Sequence, residues 1–187
     1  ANGKINYLKN TLMHFRTTGT LVRSSGFLCK TMLSNIDFNN AQNIVELGPG
    51  DGVITRHLLN SMKQDAHLYS FEINEYFLKY LEENFKDPRL SVLPESAEHL
   101  IPELASRGVR EVDYVVSAVP FMILPESLTE SIVGACHQAL KPGGKFIQFH
   151  YSLNARKYYQ KIFKNIQIRF VPFNMPPAFV MVCEKLG

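Results

Sequence analysis

Cysteine is scarce in the 187-residue sequence: there are three, Cys29, Cys136 and Cys183, odd in number and far apart. That excludes a disulfide framework and a cysteine-based zinc cluster, and it fits a reducing cytoplasm. No apolar run reaches the roughly 18 residues that a membrane-spanning helix needs. The first residues carry Lys4, Lys9 and Arg16 among apolar positions, without a separate hydrophobic block, so no secretory signal is read there. Internal repeats, low-complexity tracts and linkers are also absent. His14, His57, His67, His99 and His137 show no metal-ligand spacing, so no metal is expected. No phosphate-binding loop and no serine or cysteine nucleophile paired with histidine can be argued.

The length suits one domain with a sizeable core, and the composition, 45% hydrophobic and 20% charged, is that of a globular protein. The net charge of +3 hides a segregation. Residues 1–40 hold five Lys/Arg against one acid, residues 41–140 seven against fifteen, and residues 141–187 eight against one. An acidic middle between basic ends suggests a cationic face for an anionic partner, such as phospholipid or nucleic acid. Solvated lysines spread over the surface are the plainer alternative. If the charge is gathered, the N-terminal helix and residues 156–164 share that face.

From residue 43 onward short apolar runs alternate with helical patterns, the signature of a parallel α/β sheet. The spacing predicts strands at Asn43–Leu47, Leu68–Ile73, Leu90–Leu93, Val112–Ser117 and Lys145–Tyr151. One helix follows Phe77, Tyr80, Leu81 and Phe85. Another follows Leu128, Ile132, Ala135 and Ala139, opening after Pro125 and stopping at Lys141-Pro142-Gly143-Gly144. Ile166–Pro172 and Ala178–Glu184 are β-rich runs without a helix between them, and they read as an antiparallel pair. Five β/α units and a terminal hairpin predict a seven-stranded, mostly parallel sheet with helices on both faces. This layout resembles that of Rossmann-like methyltransferases, whereas dehydrogenases continue with further βα units. Residues 1–40 are expected to form a helical segment, and 41–187 the ligand-binding domain.

The sharpest local signal is Ile44-Val45-Glu46-Leu47-Gly48-Pro49-Gly50-Asp51-Gly52, a buried strand running into three alternate glycines and then a helix. Glycine lets backbone approach a ligand where a β-carbon would clash, and the helix N-terminus offers free N–H groups to an anion. A second acid, Glu72, ends the next strand, where a carboxylate can accept both hydroxyls of a ribose. The spacing is G-x-G-x-G, not the G-x-G-x-x-G of dinucleotide sites. Ligands of open α/β sheets bind beyond the carboxyl ends of the strands. That brings in Ile73, then Ser96 and Ala97 after the third strand, and Ser117 to Pro120 after the fourth.

Glu46-Leu47-Gly48-Pro49-Gly50-x-Gly52 resembles motif I of class I methyltransferases. Ser117-Ala118-Val119-Pro120, Phe146-Ile147-Gln148-Phe149-His150-Tyr151 and Asn174-Met175-Pro176-Pro177-Ala178-x-Val180 are similar to segments of the bacterial phospholipid N-methyltransferases. So are Tyr7-Leu8-Lys9 and Arg23-Ser24-Ser25, ahead of the domain. Departures are Ala118 for glycine, His150 for threonine and Arg23 for proline. The resemblance implies S-adenosyl-L-methionine as cofactor, with Glu46, Leu47, Gly48, Pro49 and Gly50 around its methionine part. Glu72 and Ile73 would then hold the ribose, Ser96 and Ala97 would flank the adenine, and Ser117 would face the methyl group. It also implies methylation of phosphatidylethanolamine at a membrane surface, by a cytoplasmic, peripheral enzyme.

An amine acceptor must lose a proton before it can attack, and a Tyr, His, carboxylate or water chain can take it. Tyr151 and His150 end the fifth strand at the acceptor's expected position, and alternation sends only one of them inward. Tyr151 is the first choice, and its ring would also attract a methylated cation. Ile5, Leu8, Leu12 and Phe15 share one helical face, which either lies in a lipid interface or closes on the domain as a lid.

Two other enzyme classes compete, with a small-molecule methyltransferase leaving the basic ends unexplained. An rRNA adenine N6-methyltransferase would place Asn where Ser117 stands and carry a further helical domain, so nucleic acid is not the expected partner. A degenerate, non-catalytic fold is opposed by the intact Glu46, Gly48, Gly50 and Glu72.

Overall fold

β-Branched and leucine residues at Ile44, Val45 and Leu47 make a strand that is buried on both faces, which places it in the middle of the sheet. It is β1 (Asn43–Leu47) of a computed structural model that describes residues 25–187. The amphipathic run Ile5–Phe15 therefore lies outside the described residues. The chain continues through α2 (Val53–Ser61), β2 (His67–Phe71), α3 (Glu75–Asn84), β3 (Leu90–Leu93), α4 (Leu100–Ser106) and β4 (Val112–Ser117). Then come α5 (Glu126–Ala139), β5 (Leu140–His150), α6 (Arg156–Gln160), β6 (Asn165–Val171) and β7 (Ala178–Glu184). Helix α1 (Gly26–Leu33) precedes β1 and starts at Ser25, whose hydroxyl accepts from Leu28 N–H at 3.1 Å.

The strand order is β3-β2-β1-β4-β5-β7-β6, parallel from β3 to β5, with β7 antiparallel to both β5 and β6. The seven-stranded, mostly parallel sheet ending in an antiparallel hairpin is thus the fold class that the sequence predicts. Alternation sorts its side chains into two cores. Ile44, Leu68, Val116, Ile147 and Val182 pack with α1 and α2, whereas Val45, Phe71, Val115, Phe146 and Met181 pack with α4, α5 and α6. Cys29 and Met32 of α1 are fully buried there, so this helix is part of the domain's core.

Three strands, β2, β5 and β6, differ from their predicted bounds. β2 stops at Phe71 because Glu72 turns its own carboxylate onto the N–H groups of Ile73 and Asn74, both at 3.0 Å. β6 stops at Val171, before Pro172, which has no N–H to give a ladder. β5 begins at Leu140 and steps over a register shift between Leu140 and Lys145, within which Gly143 has φ +77°. A β-carbon on Gly144 would lie 2.8 Å from Lys141 O. Its end, at His150, is one residue short of the predicted Tyr151.

The order reverses between β1 and β4, whose carboxyl ends lie side by side with Leu47 opposite Ser117. This switch point is where open α/β sheets bind ligands. Asp113 fixes the other end of the pair. One of its oxygens accepts from the N–H groups of Gln42 and Asn43 at 2.9 and 2.8 Å, and the other pairs with Lys141. Burial works against that carboxylate, but the Asn43 N–H, Lys141 and the Gln42 N–H outweigh it and hold its pKa below the usual range.

Candidate active site

After β1 the backbone turns three times through the left-handed region, at Gly48, Gly50 and Gly52, with φ of +68°, +57° and +76°. Only glycine enters that region without strain. At Gly52, the N-cap of α2, a β-carbon would also sit 2.4 Å from Phe85 Cζ. The loop is tied to both neighbouring strands. Gly48 N–H donates to Phe71 O at 2.9 Å, and Ala118 N–H donates to Leu47 O at 3.0 Å.

The two acids of the motif sit on different levels. Glu72 is buried at the end of β2, where Oε2 accepts from Gly50 N–H at 3.1 Å and Oε1 from Ile73 and Asn74. Its carboxylate therefore joins the glycine loop to the turn after β2. Glu46 lies beneath the loop, 1% exposed, on the α2 face of the sheet. The Thr55 hydroxyl donates to its two oxygens at 3.0 and 2.8 Å, and the Ser70 hydroxyl donates to Oε2 at 2.7 Å. Burial pushes its pKa up to about 7; Ser70 and Thr55 pull it down, and the nearby Glu72 adds to the rise.

Two cavities open along the carboxyl ends of the strands, and Val119 and Pro120 line both. The smaller, about 40 Å³, is bordered by Gly48, Glu72, Ile73, Ser96 and Ala97. Ser96 opens the short turn 97–99, its hydroxyl accepting from Glu98 N–H at 3.4 Å. Leu47 and Ser117 are fully buried at the strand ends, and the Ser117 hydroxyl accepts from Val119 N–H at 3.2 Å. Pro49 heads the loop's turn, its carbonyl accepting from Gly52 N–H at 3.0 Å.

The larger cavity, about 340 Å³, is mostly apolar and bordered by Met122, Ile123, Gln148, Phe149, His150 and Tyr151. His150 and Tyr151 both border it but differ in character. His150 is 5% exposed, with Nε2 2.6 Å from the Tyr159 hydroxyl, and burial pulls its pKa down to about 4. Tyr151 stands at the rim, 37% exposed, its ring edge-on to Phe149 at 5.8 Å. Its pKa is raised by burial, partly offset by a hydrogen bond with Asn174.

Sequence reasoning brought together Glu46, the glycine loop, Glu72, Ser96–Ala97 and the end of β5. It missed Thr55 and Ser70 around Glu46 and Tyr159 behind His150, and it gave Asn174, quoted in the C-terminal segment, no role. The signal for Thr55 and Ser70 was present: a buried acid in β1 needs donors from the elements beside it. Among the described residues no group of His, Cys, Asp and Glu is arranged to hold a metal ion.

Residues 44–144 match the methyltransferase-domain family. Over 180 residues the chain is 29% identical to an ornithine lipid N-methyltransferase of Singulisphaera acidiphila, covering 95% of this chain and 94% of that one. Among solved structures it is similar to a precorrin-6y C5,15-methyltransferase of Geobacter metallireducens (14% identity, TM-score 0.68, covering 88% and 91% of the two chains). It is also similar to TrmN of Thermus thermophilus (18% identity, TM-score 0.68, covering 89% and 51%). These two likenesses show the fold. The left-handed glycine cradle, where an added β-carbon has no room at Gly52, and the buried acid at the end of β2 fit an adenosyl cofactor. The chain belongs to the methyltransferase-domain family and is a class I, S-adenosyl-L-methionine-dependent methyltransferase.

Proposed function

We propose that the enzyme N-methylates the amine head group of a membrane lipid, with phosphatidylethanolamine as the reference acceptor. The observation that carries this reading is the apolar cavity of about 340 Å³, which meets the smaller slot at Val119 and Pro120. Likeness along nearly the whole chain to an ornithine lipid N-methyltransferase supports the same acceptor class. Bound S-adenosyl-L-methionine supplies a methyl group on a sulfonium, an already activated leaving group. Gly48, Pro49 and Gly50 would hold its methionine part above the buried Glu46 and Leu47, Glu72 and Ile73 the ribose, and Ser96 and Ala97 the adenine, with Ser117 near the methyl group. The chain's remaining task is to align a neutral amine and keep water away.

The two residues at the end of β5 take different parts in that task. A ring whose pKa is about 4 holds almost no proton at neutral pH, so His150 is a poor base for an ammonium. The Tyr151 phenol stays protonated and offers its ring face to the cationic product. The amine's proton leaves to water at the open rim beside Tyr151, and the neutral fraction reacts.

A lipid substrate also needs a surface on which to dock. Phe27, Phe173 and Met175 are 60%, 76% and 79% exposed, and the rings of Phe27 and Phe173 lie 5.6 Å apart. Between them Asn174 is buried, accepting from Ser25 N–H at 3.2 Å and donating to Pro176 O at 2.7 Å, and its side chain lowers the pKa of the Tyr151 phenol at the cavity rim. An apolar tip beside the cavity mouth suits the acyl boundary of a bilayer. No helix among the described residues is long and apolar enough to cross a membrane.

Methyl transfer to liposomes with and without phosphatidylethanolamine tests the reading, run beside ornithine lipid, small amines and RNA. Label confined to the lipids supports it. Label in RNA or free amines alone rejects the lipid acceptor and leaves the enzyme class intact.

A further inference from the structure

Gln148 is 1% exposed and lines the larger cavity from near the end of β5. Its amide orientation is fixed: Nε2 donates to Val119 O at 2.9 Å and to Phe149 O at 2.8 Å, both carbonyls, which an oxygen in that place would repel. Oε1 is left over. Among the described residues it is the buried side-chain nitrogen or oxygen that has no hydrogen-bond partner. Buried acceptors without a donor are uncommon, and one on a residue that borders a ligand cavity points to a donor that arrives with the ligand. The other polar groups nearby are already engaged, His150 Nε2 with Tyr159 and Ser117 Oγ with Val119 N–H.

We propose that Gln148 Oε1 accepts an N–H of the substrate's amine head group and so distinguishes the amine from its fully methylated product. This rests on the amine-lipid reading above and adds to it a specificity-determining residue. A primary ammonium has three N–H bonds and each methyl group removes one, so a trimethylammonium head group has none to give. The contact then holds the protonated head group in the cavity while an N–H remains and lets the trimethylated product go; the neutral dimethylamine that takes the last methyl has no N–H and is aligned by the cavity walls. Because Nε2 is anchored on Val119, the same side chain ties the amine's position to the loop that borders the cofactor slot.

The test is equilibrium binding by calorimetry, with catalysis blocked by S-adenosylhomocysteine. The probes are two short-chain lipids with the same acyl chains, one with an ethanolamine and one with a choline head group. Wild-type protein is expected to bind the ethanolamine lipid about ten- to a hundredfold more tightly, the range for one hydrogen bond to a charged group. In Gln148→Met, of similar shape, that preference is expected to vanish through weaker ethanolamine binding, with choline binding unchanged. A merely structural role would weaken both lipids equally, and that result overturns the proposal. So does equal affinity in wild type, which needs no variant and therefore stands if Gln148→Met fails to fold. Wild type that binds neither lipid overturns the amine-lipid reading itself.

Discussion

His150 Nε2 and the Tyr159 hydroxyl lie 2.6 Å apart, sealed between the end of β5 and α6. Burial keeps the histidine neutral, with its pKa near 4 against an ordinary value of 6.5. On the opposite face of the sheet Glu46 is displaced the other way, up to about 7 from 4.5. These two groups oppose each other in acid. As pH falls from 6.5 to 4, the unfolded chain binds a proton that the folded His150 refuses, so stability is lost, by roughly 3 kcal/mol in all. Between 7 and 4.5 the folded Glu46 keeps a proton that the unfolded chain has released, so stability is gained by a similar amount.

The expected wild-type stability is therefore shallow in pH across this window as far as these two groups are concerned. Glu46→Gln removes the opposing half, and its unfolding free energy should fall by roughly 3 kcal/mol more than wild type's between pH 7 and 4.5. His150→Phe should show the reverse slope, whatever constant cost the unpaired Tyr159 hydroxyl adds. Urea titrations at four pH values read both slopes, and parallel profiles for all three proteins would contradict the assignment.

Gly52 is held by two constraints at once, a φ of +76° and Phe85 against its missing β-carbon. Gly52→Ala is expected to cost about 1–2 kcal/mol from backbone strain alone, and more from the contact. Adding Phe85→Leu should recover the contact part and leave the strain. Thermal denaturation of the single and double variants separates them.

Asp113 holds the N-terminal end of β1 through two backbone N–H groups and Lys141. Asp113→Ala leaves those N–H groups and the lysine without their partner. A loss of about 2–4 kcal/mol is expected, seen as a lower urea midpoint at pH 7. The lowered pKa gives the sign: this stability is present above the ordinary aspartate value and disappears as pH falls through the folded one. The gap between wild type and variant should close in strong acid.

The exposed tip formed by Phe27, Phe173 and Met175 carries the prediction for membrane contact. Phe173→Ser with Met175→Ser should reduce cosedimentation with anionic liposomes by tenfold or more while leaving calorimetric cofactor binding unchanged. Each side chain contributes on the order of 1–2 kcal/mol when transferred from water.

Much of this site was legible before any coordinates. A buried run into alternate glycines, an acid ending the next strand and a hairpin at the end set the fold and the region of the cofactor, because each is a local pattern with one main physical use. β1, β3, β4 and β7 fall at their predicted residues. What stayed hidden depends on residues far apart in sequence. Thr55 and Ser70 meet Glu46 from 9 and 24 positions away, and Asp113 reaches Asn43 across 70. Alternation puts Gln148 and His150 on one face of β5, but it does not say that a tyrosine waits for one and nothing for the other. The strand end at Phe71 was missed because Glu72 captures the next two N–H groups, an event that periodicity does not register.

The central claim is best tested by following labelled methyl groups from S-adenosyl-L-methionine into liposomes that contain phosphatidylethanolamine, with wild type beside Glu72→Ala. Mono-, di- or trimethylated lipid with wild type, falling by a hundredfold or more in the variant, is the predicted result. Wild type that binds the cofactor yet leaves the amine lipid unlabelled would contradict the proposed acceptor.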